Sequence, residues 1–278
     1  MALLNCAGKN LDLSRPRVMG ILNITPDSFS DGGDFLPLDA ALAQARRMVA
    51  EGADIIDVGG ESTRPGARPV STQEEMDRVV PLIQQFAEEL SVPISIDTSK
   101  ADVMREAVAS GAGLVNDVCA LQEEGALAAA VETSVPICLM HTKGKPRTMQ
   151  DEPRYDDVTL EVKQFLSQRV AACEVAGIPK ERLLLDPGFG FGKTLEQNLR
   201  LLRELGKFSD LEIPLLVGIS RKSMIGALLG EAPVAQRLYG SLAAAVMAAE
   251  KGAAIIRVHD VKPTADALRV VTAVMGER

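Results

Sequence analysis

Leu183-Leu184-Leu185-Asp186-Pro187-Gly188-Phe189-Gly190-Phe191-Gly192-Lys193 is a short apolar run that ends on a carboxylate and passes into a glycine-rich, aromatic-bearing loop. Three consecutive leucines cannot face water, so the run predicts a strand buried on both faces, as in a parallel sheet. Pro187 stops the hydrogen-bond ladder, and the glycines would let backbone approach a ligand closely. Asp186 is thereby carried to the rim of whatever the leucines build. Taken by itself it is equally a turn aspartate satisfied by local backbone, so the rest of the chain has to decide.

The same grammar recurs along the chain. Val18–Asn23, Asp54–Val58, Pro93–Asp97, Leu114–Asp117, Pro136–His141, Pro214–Ile219 and Ala254–His259 are short apolar runs ending at or beside polar residues. Helical patterns separate them. Leu38–Glu51 is amphipathic and stops at Gly52, and Asp157–Ala176 is the longest, with Val162, Phe165, Leu166 and Val170 on one face and Gly177 after it. Met76, Val79, Val80 and Ile83 share a helical face, and Pro81 is expected to kink or restart that helix. Thr98-Ser99 is expected to cap the helix that follows strand three. A final helix is expected over Pro263–Val274. Long loops after strands one and two, Ile24–Gly33 and Gly59–Gly66, interrupt the rhythm.

Eight strand-then-helix units of roughly 35 residues, with no break in composition, predict one (β/α)₈ TIM barrel over residues 1–278, with extended loops after strands one and two. A doubly wound open sheet is the alternative. Asn23, Asp57, Asp97, Asn116, His141, Asp186, Ser220 and the Arg257/His259 pair all fall at strand C-termini. In a barrel those positions ring one mouth, where such enzymes do their chemistry. Structural capping accounts for a few of them, but not for polar residues at every strand end.

Composition narrows the function. The net charge is −8 and aromatics are 3% with no Trp, which argues against a polyanion partner and against stacking platforms for single-stranded nucleic acid. Cys6, Cys119, Cys138 and Cys173 form no CxxC pair and no zinc spacing, and Cys138 in its apolar run reads as a buried reduced thiol. Met1–Cys6 has no charged segment or long apolar core, so it does not read as a signal peptide. No apolar run approaches the roughly 18 residues of a membrane helix. The expectation is a cytosolic protein with no membrane partner.

The glycine-rich run is neither a Walker A loop nor a dinucleotide fingerprint: with Gly192-Lys193-Thr194 as its end, a Walker A loop needs its first glycine where Pro187 stands, and the third glycine of GxGxxG arrives one residue early. Ser220-Arg221-Lys222-Ser223 opens a helix directly after strand seven, so free N–H groups and two cations predict an anion and acceptor site. Arg257 and His259 lie two apart on strand eight and leave on one face, where barrels bind phosphate; surface ion pairs are the plainer alternative. Asp97, Asn116 and Asp186 suit a ligand edge rich in adjacent N–H donors, such as the guanidine-like edge of a heterocycle. His141, followed by the basic Thr142-Lys143-Gly144-Lys145, reads as structural or as a support to the site.

Assembled in order, these residues resemble the dihydropteroate synthase family, the folate-pathway transferases that sulfonamides inhibit. The resemblance covers nearly the whole chain and rests on Asn23–Gly33, Glu61–Gly66, Asp97-Thr98-Ser99, Asn116-Asp117, Asp186–Gly190, Ser220–Ser223 and Arg257–Asp260. The family joins a 6-hydroxymethyl-7,8-dihydropterin diphosphate to p-aminobenzoate with Mg²⁺. By that resemblance Asp97, Asn116, Asp186 and Lys222 hold the pterin, and Asn23 helps hold Mg²⁺. Arg64, Arg257 and His259 take the diphosphate charge, and Thr63, Pro65, Phe191, Lys222 and Ser223 form the aminobenzoate site. Asp97, Lys222, Arg257 and His259 are the expected catalytic group. A homodimer is likewise implied by the family. Thr142-Lys143 departs from the Met-Gln-like pair of many members. A corrinoid-dependent methyltransferase of related fold would share the pterin carboxylate but needs no diphosphate cluster. A silent pterin-binding paralogue would not need every site position filled.

Overall fold

The computed structural model describes residues 3–24, 36–62, 68–144 and 153–276. Eight strands close into a parallel barrel in the order β10-β3-β4-β5-β6-β7-β8-β9. They are β3 Arg17–Asn23, β4 Ile55–Gly59, β5 Ile94–Asp97, β6 Leu114–Asp117, β7 Ile137–Met140, β8 Leu183–Asp186, β9 Leu215–Val217 and β10 Ala253–Val258. The helices α1 Leu36–Ala50, α2 Thr72–Glu89, α3 Ala101–Ala109, α4 Ala126–Thr133, α5 Val158–Val175, α6 Leu195–Arg203, α7 Ser223–Leu228, α8 Leu238–Glu250 and α9 Val261–Met275 fill the crossovers. The closed barrel is the expected fold, and the open sheet is excluded. The expected long loops after the first two barrel strands fall largely on residues 25–35 and 63–67, outside the described residues.

Two hydrophobic clusters account for the runs without alternation. Ile56, Val58, Ile94, Ile96, Val115, Ile137, Leu139, Leu183, Leu185, Val217, Ile256 and Val258 belong to the large cluster shared with the helices. Their neighbours Met19, Ile55, Leu114, Cys138, Leu184, Leu216 and Ile255 form a second cluster inside the barrel. Each strand is thus buried on both faces, which is why three leucines stand in a row.

An element absent from the expectations closes the floor. β1 (Leu3–Cys6) and β2 (Lys9–Asp12) form an antiparallel hairpin around a turn with Ala7 and Gly8 at positive φ. Leu4, Cys6, Leu11 and Leu13 from this hairpin and its exit join the inner cluster. Each strand is four residues long, with Leu3, Asn5, Asn10 and Asp12 alternating with the buried residues, too short a pattern to stand out from a loop.

Two local expectations are corrected. α2 runs unbroken through Pro81: the proline lies on the exposed face, where the carbonyl it leaves unpaired can meet water. Val79, Leu82, Ile83 and Phe86 meanwhile hold both halves to the core. α3 is capped by Lys100, without a side-chain cap, because Ser99 is drawn off to donate its hydroxyl to Asp117.

Candidate active site at the barrel mouth

Stepping two residues up each strand from the inner cluster reaches the next inward side chain. From Ile55, Leu114, Leu184 and Ile255 that step lands on Asp57, Asn116, Asp186 and Arg257, and Asp97 follows from the inward Ser95 on β5. A hydrophobic floor therefore becomes a charged ring within one strand repeat. Asp57 and Asp186 are buried, as is Asn116.

Arg257 is the hub. Its Nε donates to Asp57 Oδ2 at 2.6 Å and its Nη2 to Asp97 Oδ2 at 2.7 Å. Asn116 Nδ2 donates to the same Asp57 oxygen at 3.3 Å. The other carboxylate oxygen of Asp57 is buried without a hydrogen-bond partner among the described residues. Burial opposes ionisation of Arg257, yet the two carboxylates hold its pKa above the ordinary arginine value. Burial pushes Asp97 up to about 7; Arg257 pulls against this, while the neighbouring charge of Asp57 adds to it. In the sequence Asp57 reads as a strand end. The structure instead continues β4 two residues further, to Gly59, so Asp57 sits one step deeper, as the buried anchor of Arg257. An acidic residue in the middle of a buried strand was the signal for it.

Across the ring, Asp186 accepts from the Gly188 N–H at 2.8 Å, and burial raises its pKa against the opposing charge of Lys222. The amine of Lys222 donates to the carbonyl of Phe189 and stands 4.6 Å from the centroid of the Phe191 ring, a cation–π contact. Burial lowers Lys222 to about 8, with Asp186 opposing that fall. On the third side, Ser220 Oγ lies 3.1 Å from His259 Nδ1 and accepts from the His259 N–H at 3.2 Å. Asn23, the last residue of β3, and Asp97 both reach Gly59, where an added Cβ would stand 3.4 Å from Asn23 Oδ1 and 3.7 Å from Asp97 Cβ.

The structure thus brings Asn23, Asp97, Asn116, Asp186, Phe191, Lys222, Arg257 and His259 to one mouth. Ser223, the exposed first residue of the six-residue α7, stands at its edge. Thr63, Arg64 and Pro65 lie outside the described residues. Arg221 does not join the anion site expected of it: its guanidinium pairs with Asp260, because positive φ at this residue turns the chain between Ser220 and Lys222. Lys143 is likewise spoken for, paired with Glu161 at 3.1 Å and lying 4.0 Å from the Tyr155 ring centroid. His141 is buried, edge-on to Phe165 with ring centroids 4.9 Å apart, which agrees with a structural role.

Among the described residues no cluster of His, Cys, Asp or Glu could by itself hold a metal. The donor nearest that use is the single amide oxygen of Asn23. A hard cation that keeps most of its waters and takes its remaining oxygens from a phosphate would suit so sparse a site.

Residues 19–259 match the family described as "Pterin binding enzyme". The chain is 57% identical to dihydropteroate synthase of Escherichia coli (strain K12) over 271 residues, covering 98% of this chain and 96% of that protein. It superposes on the crystal structure of Yersinia pestis dihydropteroate synthase with a sulfonamide drug complex at a TM-score of 0.93, with 55% identity over 98% of each chain. For Xanthomonas albilineans dihydropteroate synthase with 4-aminobenzoic acid the TM-score is 0.94, with 51% identity over 100% of this chain and 99% of that one.

Proposed function

The chain belongs to the pterin-binding enzyme family, and we propose that it runs the reaction its relatives are named for. It is a transferase of folate biosynthesis that condenses 6-hydroxymethyl-7,8-dihydropterin diphosphate with p-aminobenzoate, giving 7,8-dihydropteroate and diphosphate. The observation that carries this reading is the ring itself: a buried carboxylate and amide suited to a pterin edge, facing cations suited to a leaving diphosphate, over an apolar floor.

The site's chemistry follows from its charges. Asp186 and Asn116 would accept from and donate to the polar edge of the pterin, with Lys222 over its far side. Arg64, Arg257 and His259 would take charge on the diphosphate. Mg²⁺ would be held through Asn23 and phosphate oxygens, and when bound it neutralises the leaving group. The exocyclic C–O bond breaks, its electron pair leaves with the diphosphate, and the positive charge spreads into the pterin ring. Asp97, beside Arg257, would stabilise that cation as a carboxylate. The aromatic amine, uncharged at neutral pH, then attacks with its own lone pair, and the resulting arylammonium is acidic enough to shed its proton without an enzyme base. This accounts for a site with no obvious catalytic base. Thr63, Pro65, Phe191, Lys222 and Ser223 would frame the aminobenzoate, and sulfonamides would compete there.

Four free cysteines, three of them buried, support a reducing cytoplasmic setting. Among the described residues no helix is long and apolar enough to cross a membrane. Leu228, Leu229, Tyr239, Val270 and Val274, exposed along α7 to α9, support a homodimer. Purified protein given both substrates and Mg²⁺ should form dihydropteroate and diphosphate in equal amounts; no product over a range of Mg²⁺ concentrations rules the reading out.

A further inference from the structure

The glycine-rich run that fails as a phosphate loop ends in Lys193, the buried lysine among the described residues, only 3% exposed. Its amine meets three polar atoms: the carbonyl of Gly188 at 2.7 Å, the carbonyl of Phe191 at 3.0 Å and Nδ1 of His141 at 3.0 Å. No carboxylate among the described residues pairs with it. Burial draws its pKa well below the ordinary lysine value, and burial likewise holds His141 below the ordinary histidine value. An uncharged amine has two N–H groups for the two carbonyls and a lone pair for an Nδ1–H of His141, so the triad is satisfied without a buried charge.

The backbone around it is locked to the end of β7. A Cβ on Gly188 would stand 1.9 Å from the carbonyl oxygen of His141, and one on Gly192 would stand 2.3 Å from that of Lys143. These two glycines therefore admit the neighbouring strand end rather than a ligand, which corrects their expected use. With the carbonyls of Gly188 and Phe191 turned to Lys193, the carbonyl of Phe189, within the same turn, meets Lys222, and the Phe191 ring comes under the same amine.

We propose that Lys193 is a positioning residue for the aminobenzoate half of the reaction: its buried amine staples the Gly188–Phe191 turn to His141 and so sets where the Phe191 ring and the Lys222 amine stand. The proposal rests on the reading of Phe191 and Lys222 as the aminobenzoate wall. It assigns a use to a buried lysine for which the reaction as proposed names no part.

The test compares Lys193→Met, His141→Phe and the double variant by steady-state kinetics in each substrate separately. Each single change is expected to raise KM for p-aminobenzoate about tenfold, the usual size for a group that orients a functional one. KM for the pterin diphosphate, which Lys222 also meets, should rise by a clearly smaller factor than KM for p-aminobenzoate, and the double variant should be no worse than Lys193→Met alone, because one unit has been broken twice. A general loss of structure would instead move both KM values together. That outcome, multiplying single effects, or wild-type kinetics in Lys193→Met would each overturn the proposal. Should Lys193→Met fail to fold, His141→Phe decides alone, and an unchanged aminobenzoate KM there overturns it as well. Product formation by the wild-type protein in the same assay tests the reaction itself and is unaffected by any of these results.

Discussion

The floor and the mouth of this barrel are built by the same strands, two residues apart, and they obey opposite rules. At the floor, Met19, Ile55, Leu114, Cys138, Leu184, Leu216 and Ile255 pack on one another and on the hairpin, and every contact there adds stability. At the mouth, Asp57, Asp97, Asp186, Lys222 and Arg257 are drawn into a low-dielectric space, where ionisation is costly unless partners are near. The pKa of Asp97 near 7 and of Lys222 near 8 are the trace of that cost. One layer holds the fold together. The other holds charges in place for a substrate, and the rigid floor is what allows the mouth to hold them.

The contrast can be broken from either side. Lys222→Ala should lower kcat/KM by about 10³-fold, the size of losing a group that faces developing charge, while circular dichroism and thermal melting stay near wild type. Near-normal turnover would remove its role. Leu184→Ala at the floor should do the reverse, costing about 3 kcal/mol of stability in chemical denaturation with kcat/KM little changed wherever the protein remains folded.

Asp57→Asn tests the hub between them. Losing the fixed anchor of Arg257 should lower kcat/KM about 10- to 100-fold. It should also move the pH profile. In the wild-type protein kcat/KM should rise as pH passes about 7 and Asp97 loses its proton. Asp57 raises that pKa as a like charge, so removing it must shift the acid limb to lower pH; a limb that stays put, or moves up, contradicts the assignment. The smallest effect belongs to the hairpin. Lys9 donates to the carbonyl of Leu90 at 2.7 Å, and Lys9→Met should cost about 1 kcal/mol of stability with no kinetic consequence.

The barrel was legible because its strands are buried on both faces and end on polar residues, a pattern that few other architectures produce. The ring at the mouth was legible for the same reason. What the sequence concealed was depth and partnership. Asp57 looked like a strand end because strand boundaries blur by a residue or two, and its pairing with Arg257 spans 200 residues of sequence. Arg221 and Lys222 are neighbours with one charge and unlike fates, since only the backbone turn decides which reaches the mouth. Pro81 followed a local rule that the solvent side of a helix relaxes. Lys193 matched no motif, and its use appears only once the end of β7 is packed against its loop.

The central claim is that the charged ring lets diphosphate depart before the amine attacks, and positional isotope exchange tests it most directly. The pterin diphosphate carrying ¹⁸O in the bond between the exocyclic carbon and phosphorus is incubated with enzyme and Mg²⁺ without p-aminobenzoate, and phosphorus NMR follows the label. In recovered substrate ¹⁸O should have spread from the bridge into the non-bridging positions of the inner phosphate, the one esterified to the exocyclic carbon. Label that stays in the bridge, in enzyme that makes dihydropteroate once p-aminobenzoate is added, would contradict it.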